Sequence, residues 1–400
     1  MDQQILLLWG LLGLSGVLIA LLVLVQLQRR LDDRAPTSKQ AASARDSRPR
    51  VSVRGRLRAP LGFQEAGLGA PEGMAGKRRK GALAAIAVAL SFVGVGVGLS
   101  EKSHNKGINA VESEISAGAL KGTFMSVRKH DPVVLIVPGS GPTDRNGNNP
   151  LGVKANTYRL LAEALAERGI STVRIDKRGM FASVGAGDGN AVSIPIYAAD
   201  YHAWIDAIRE QTGAKCVWLL GHSEGALMVS AAAEGRADVC GLILVSGAGR
   251  PVLDVMREQL RASPAFAGVL PEAFHAIDEL KAGRHVDPAG MSPAIAQLFA
   301  PRVQDFMMSA YAADPVAILR QARKRTLILQ GSTDMQTSLE DARLLNAVPH
   351  SRLVILDGVN HVLKEAPADR AANLATYTNP DLPISDKVAR AIANFVKSRD

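Results

Sequence analysis

Four hundred residues, 47% of them apolar, suffice for one large or two ordinary domains with a sizeable core and exclude a chain disordered as a whole. The formal charge of +9 is unevenly placed: Gln28 to Gly81 holds 14 Lys/Arg against 5 Asp/Glu, whereas Ser100 to Asp400 holds 33 against 32. The part that reads as globular is therefore close to neutral, which argues against nucleic acid as a partner.

Ile5 to Val25 is an apolar run of 21 residues interrupted only by Gly and Ser. At about 1.5 Å per residue it reaches roughly 31 Å, so residues 1–30 read as a transmembrane helix. Residues 31–80 are rich in Arg, Ser, Pro, Gly and Ala without an apolar period, the pattern of a basic disordered linker. Met74 opens a second arrangement: MAGKRRK, the 18-residue apolar stretch Ala82 to Leu99, and the small-x-small ending Gly98-Leu99-Ser100. Residues 81–100 thus read either as a secretory signal or as a second membrane helix, and Met74 stands as an alternative start to Met1. If both segments span, the Lys/Arg-rich linker stays cytoplasmic. Both readings expect a membrane-anchored or exported protein with its folded body on the extracytoplasmic side.

Residues 108–400 read as one globular domain. Ile108 to Ile115 and Leu120 to Val127 are short strands separated by Ser116, Ala117 and Gly118. Val133 to Val137, VVLIV, is a strand covered on both faces, and the Gly, Pro and Asn residues of PGSGPTDRNGNNP after it are expected to prevent regular structure. A helix over Asn156 to Arg168, a strand over Ile170 to Ile175 and a helix over Tyr197 to Gln211 follow. Val217 to Leu220 and Gly241 to Val245 are buried strands. Gly249 to Arg320 is helical in pattern and punctuated by prolines; placed after a strand, it reads as a cap (249–320) that covers the site and shapes its pocket. Thr326 to Leu329 and Leu353 to Leu356 are strands separated by a helix at Leu339 to Asn346, and Ser385 to Val396 is a last amphipathic helix. Strands alternating with helices predict an α/β fold, a mostly parallel sheet with helices on both faces.

The organising stretch is CVWLLGHSEGA, Cys216 to Ala226, in which Ser223 sits in G-x-S-x-G between a strand and an Ala-rich helix. Gly221 and Gly225 lack the Cβ atoms that would clash in so tight a turn. The serine hydroxyl is then pushed out above the sheet, with the Glu224 amide aimed at a developing oxyanion. Asp334, in LILQGSTDMQ, and His361, in LVILDGVNHVL, each follow a strand end. The order Ser223, Asp334, His361 is that of a nucleophile, an orienting acid and a base. Asp357 is the rival acid. His104, His130, His202, His222, His275, His285 and His350 lack this placement; His222 adjoins the serine but projects differently. Cys216 and Cys240 begin consecutive strands; in an exported protein they could form a disulfide, but a bridge between adjacent parallel strands is geometrically awkward, so two buried thiols are expected. No His/Cys cluster has metal-ligand spacing and no phosphate loop of Walker type appears, so neither metal nor cofactor is expected.

Together PGSGPTDRNG, IDKRG, GHSEG, GAGRP, QGSTD and GVNH resemble the α/β-hydrolase superfamily, and within it a bacterial carboxylesterase or serine-aminopeptidase-like group. The resemblance covers about Leu120 to Lys397. It implies an α/β-hydrolase fold with a helical cap insertion, and a serine hydrolase cleaving small to medium acyl esters. It also implies a second oxyanion amide at Ser140, between Gly139 and Gly141. Many relatives carry His-Gly before this position, where this chain has Pro138-Gly139. Asp144 and Arg145, with Asp176 and Arg178, are expected to form an ion-pair set joining two loops. A peptidase or thioesterase on the same triad, or a catalytically silent membrane-bound binding module, are the alternatives. Oligomeric state leaves no sequence signal.

Overall fold

The computed structural model describes residues 110–128, 131–150, 152–262 and 264–398. The expected transmembrane helix (1–30), basic linker (31–80) and signal or second helix (81–100) lie outside the described residues. No helix among the described residues is long and apolar enough to cross a membrane.

β1 (Val111–Ala117) and β2 (Leu120–Ser126) form an antiparallel hairpin whose turn places Gly118 at φ +60°. β3 (Val133–Val137) is buried at every position, as its unalternating β-branched sequence demands. The Gly/Asn-rich stretch that follows is not devoid of regular structure: β4 (Asn148–Asn149) and β5 (Val153–Lys154) pair antiparallel. Asp144 makes this small ribbon possible, because its Oδ1 accepts the amides of Asn146 and Asn148, both at 2.8 Å. A side chain thereby supplies the turn that composition alone obscured.

α1 (Thr157–Ala166) leads into β6 (Ser171–Ile175), which pairs parallel to β3 and antiparallel to β2. α2 (Ile194–Thr212) starts at Ser193, whose side chain accepts the Ile196 amide, and stops at Gly213 in the left-handed region, φ 70°. β7 (Val217–His222), α3 (Glu224–Ala232) and β8 (Val239–Val245) follow. Between β8 and β9 (Thr326–Gly331) the described residues form five α-helices: α4 (Val252–Arg261), α5 (Leu270–Lys281), α6 (Pro293–Leu298), α7 (Pro301–Phe306) and α8 (Pro315–Ala322). The prolines of α6, α7 and α8 stand in their first turns, where the missing N–H costs nothing. α9 (Leu339–Asn346) opens with a reciprocal capping box between Ser338 and Asp341. β10 (Ser351–Leu356), α10 (Arg370–Ala375) and α11 (Asp386–Lys397) complete the chain.

The eight-stranded sheet runs β1-β2-β6-β3-β7-β8-β9-β10, parallel from β6 onward. Alternate strand residues feed two cores. Leu135, Val137, Leu219, Leu242 and Leu244 face α2, α3 and α9, while Val134, Ile136, Leu220, Ile243 and Val245 face α1 and α11. Full burial of each such side chain is worth about 2 kcal/mol. After β3 the chain winds to β6 on one side and then returns to β7 on the other. A crevice therefore opens between the carboxyl ends of β3 and β7, the place where open α/β sheets hold ligands.

The expectation of two buried thiols is corrected. Cys216 and Cys240 form a disulfide, with Cα atoms 5.2 Å apart, and both residues are half-buried. The register between β7 and β8 slips at this point: Val217 faces Val239, but Trp218 faces Gly241. Cys240 is the extra residue of that bulge, and the local bend brings together two Cβ atoms that regular parallel pairing would hold apart.

Candidate active site

Ser223 stands between the last residue of β7 and the first of α3, at φ 55° and ψ −121°. That is a strained backbone for a residue with a Cβ, and close packing on either side enforces it. A Cβ at Gly221 would lie 2.2 Å from the Gly225 carbonyl oxygen, and one at Gly225 would lie 2.6 Å from that of Val137. The Ser223 amide donates to Val245 O at 2.9 Å, tying the bend to β8. On the other side, a Cβ at Gly139 would come within 3.0 Å of the Ser223 Cβ, so the loop after β3 lies directly against the serine. Among the described residues neither the Ser140 amide nor the Glu224 amide finds an acceptor.

Asp334 follows β9 in a tight turn that it builds itself: Oδ1 accepts the Gln336 and Thr337 amides at 2.8 and 3.1 Å. Its Oδ2 accepts from Thr337 Oγ1 at 3.1 Å and from His361 Nδ1 at 2.9 Å. Burial works to raise the Asp334 carboxyl, but the adjacent His361 and these hydrogen bonds outweigh it and lower the pKa to about 2. The His361 loop can lie so close because residue 331 is glycine; a Cβ there would sit 2.0 Å from Val359 O. The rival acid Asp357 is exposed and bonds to Ser332 Oγ at 3.1 Å instead. Ser223 and His361 line one cavity together with Gly139, Ser140, Tyr158 and His222.

His222, passed over in the sequence, is buried at the centre of a directional hydrogen-bond chain. Its Nε2 lies 2.8 Å from the His361 carbonyl oxygen, which only accepts, so Nε2 carries the proton. Burial, with His361 close by, lowers its pKa to about 3, so the ring is neutral and Nδ1 accepts the Tyr158 hydroxyl proton at 2.9 Å. The Tyr158 oxygen in turn accepts the Gly139 amide at 3.1 Å. One polarity satisfies every member, and the loop carrying Ser140 is thereby joined to the loop carrying His361.

Lys177 is likewise fully enclosed. Its Nζ donates to Gly139 O at 2.6 Å and lies 3.6 Å from Glu224 Oε1, while Tyr311 donates to Glu224 Oε2 at 2.6 Å. Burial lowers the Lys177 pKa, and Glu224 partly offsets that. The expected loop-joining ion pairs are present in part. Arg145 binds Asp176 through Nε at 2.9 Å and Nη2 at 2.6 Å, but Arg178 pairs with Asp200 of α2, and Asp144 serves its own turn.

Three cavities share Ser140. One, lined by Leu227, Val252, Val255 and Pro315 beside Ser223, is mainly apolar. The second holds Lys177, Tyr197, Phe306 and Met307, and the third is the cleft shared by Ser223 and His361. Helices α4 and α8 wall the first and α7 the second, so the segment between β8 and β9 contributes to the surroundings of the serine.

A mostly parallel sheet with a serine on the turn after a central strand, and an acid and a histidine after the strands beyond it, defines an α/β-hydrolase. The chain belongs to the family described as Serine aminopeptidase, S33, matched over residues 151–365, more than half its length. The matched span contains Ser223, Asp334 and His361 and begins after Ser140. No curated protein matches the chain. Among solved structures it is similar to Est1E from Butyrivibrio proteoclasticus, at 16% identity and TM-score 0.44, covering 72% of this chain and 99% of that one. It is also similar to a bromoperoxidase from Bacillus anthracis, at 18% identity and TM-score 0.43, covering 72% and 100%. A hydrolase from Pseudomonas aeruginosa PA01 has 18% identity and TM-score 0.42, covering 74% and 100%. These likenesses concern the fold alone.

Proposed function

We propose that the protein is a serine carboxylesterase that cleaves small to medium acyl esters through an acyl-enzyme. The observation that carries this reading is the 2.9 Å contact between His361 Nδ1 and Asp334 Oδ2, with Ser223 lining the same cleft as His361. Asp334, ionised at any working pH, fixes the proton on Nδ1 and leaves Nε2 free to take one. Ser223 attacks the ester carbonyl as His361 Nε2 receives its proton. The amides of Ser140 and Glu224 hold the oxyanion, each contributing about 3 kcal/mol to lowering the barrier. His361 then protonates the leaving alcohol, and a water activated by the same ring releases the acid. The apolar cavity beside Ser223 takes the acyl chain. The cleft at His361 faces the leaving group, and the helices between β8 and β9 act as a cap.

An aminopeptidase on the same triad is the second reading, favoured by the family to which the chain belongs. It needs a carboxylate to receive a substrate ammonium. Among the described residues lining the three cavities Glu224 carries the one carboxylate, and Lys177 and Tyr311 already occupy it. That favours the ester. A fluorophosphonate probe should label the wild type and spare Ser223→Ala; equal labelling would sink the enzyme reading. Across p-nitrophenyl esters and aminoacyl amides the esters should react faster, and a preference for amides would transfer the assignment to the peptidase.

We also place the domain on the extracytoplasmic side of a membrane, anchored or released. The apolar segments Ile5–Val25 and Ala82–Leu99 support this, as does the Cys216–Cys240 disulfide, a bond that persists in oxidising compartments. Mass spectrometry of the mature N-terminus tests it: a terminus near Glu101 means cleavage, and an unprocessed protein recovered with intact cytoplasm would refute export.

A further inference from the structure

We infer that Lys177 is a positioning residue for acyl transfer: by gripping the Gly139 carbonyl it aims and polarises the Ser140 amide toward the oxyanion. This rests on the reading of Ser140 as an oxyanion donor.

Three observations carry it. The carbonyl of Gly139 and the amide of Ser140 belong to one peptide unit, and no peptide bond in the described chain is cis. In a trans peptide these two groups point in opposite directions, so a bond that fixes the oxygen also fixes the N–H. The Lys177 ammonium makes that bond at 2.6 Å, from a side chain 2% exposed. The preceding peptide is held independently, because the Gly139 amide donates to Tyr158 Oη at 3.1 Å. Both planes flanking this glycine are thus tethered, at a residue whose own backbone would otherwise be free to swing. A cation on the carbonyl oxygen also draws electron density from the nitrogen and strengthens the N–H as a donor.

The obvious competing explanation is that Lys177 merely balances the buried Glu224 carboxylate. Glu224 stands beside the cavity where negative charge develops, and its two oxygens face Lys177 at 3.6 Å and Tyr311 at 2.6 Å. The pair as a whole is neutral, so its effect on the oxyanion comes from orientation rather than net charge. A merely balancing lysine and an aiming lysine differ in what happens when both charges are removed.

The full chain is compared as wild type, Lys177→Met, Glu224→Gln and the double variant, on a p-nitrophenyl ester and with an aryl trifluoromethyl ketone, whose hemiketal oxygen mimics the oxyanion. Lys177→Met should lower kcat about 10- to 100-fold with KM within about threefold, and weaken ketone binding in parallel with kcat/KM. Relative to Glu224→Gln, the double variant should show the same defect. This comparison still decides the matter if Lys177→Met alone, with its uncompensated Glu224, fails to fold. Recovery of wild-type kcat in the double variant, or a loss confined to KM, overturns the inference. A wild type with normal kcat beside a Lys177→Met variant equally fast overturns it while leaving the esterase reading intact. A wild type unlabelled by fluorophosphonate removes that reading and the inference together.

Discussion

At the scale of single residues, the candidate site holds protons in assigned places. Asp334→Asn would present an N–H to Nδ1 and force the wrong tautomer on His361. A kcat loss of about 10³- to 10⁴-fold is expected, with near-UV circular dichroism unchanged. Its acid behaviour follows from its pKa of about 2, below the ordinary 3.8. The stabilisation, on the order of 2 kcal/mol, is complete above about pH 4 and is lost as pH falls through 2. His222 works over a different range. Its folded pKa of about 3 lies below the ordinary 6.5, so the unfolded chain takes up the proton first as the solution is acidified. Stability from burying the neutral ring is full above about pH 6.5 and drains between there and pH 3. His222→Gln should give a flatter plot of unfolding free energy against pH across that window; an unchanged slope would contradict a buried neutral ring. Ser223, Asp334 and His361 were legible as candidates because each follows a strand end, and strand ends gather along one edge of a parallel sheet. Tyr158, His222 and Lys177 were not. Their partners are the backbone groups of Gly139 and His361, which leave no mark on residue type.

At the scale of elements, the bend between β7 and α3 depends on how closely backbones approach. Gly221→Ala would set a methyl 2.2 Å from the Gly225 carbonyl oxygen, which belongs to the backbone and has no rotamer to yield. The bend must open, and a stability loss of about 3 kcal/mol or more is expected together with near-complete loss of hydrolase activity. Thermal unfolding and a turnover assay on the same preparation check both. Gly221, Ser223 and Gly225 were readable as a motif because a strand precedes them and an Ala-rich helix follows. The helix expected at Leu339 to Asn346 has those bounds, and the Ser338–Asp341 capping box fixes its start. The β4–β5 ribbon was hidden because Asp144, rather than the local Gly and Asn content, organises it.

At the scale of the whole molecule, one bond went against the sequence expectation. The disulfide depends on a one-residue slip between β7 and β8, and no local composition announces a slip. It closes a loop of sequence separation 24, which corresponds to roughly 3 kcal/mol of chain entropy withdrawn from the unfolded state. The Cys216→Ser/Cys240→Ser variant should melt roughly 5–10 °C lower than the wild type. Its kcat should be unaltered, since Cys216 precedes β7 and Ser223 follows it. One six-residue strand thus has its fastener at the near rim and Ser223 at the far rim. Endurance to heat and speed of turnover become separately adjustable traits, and a cell that fails to oxidise the pair would make an enzyme fast but short-lived.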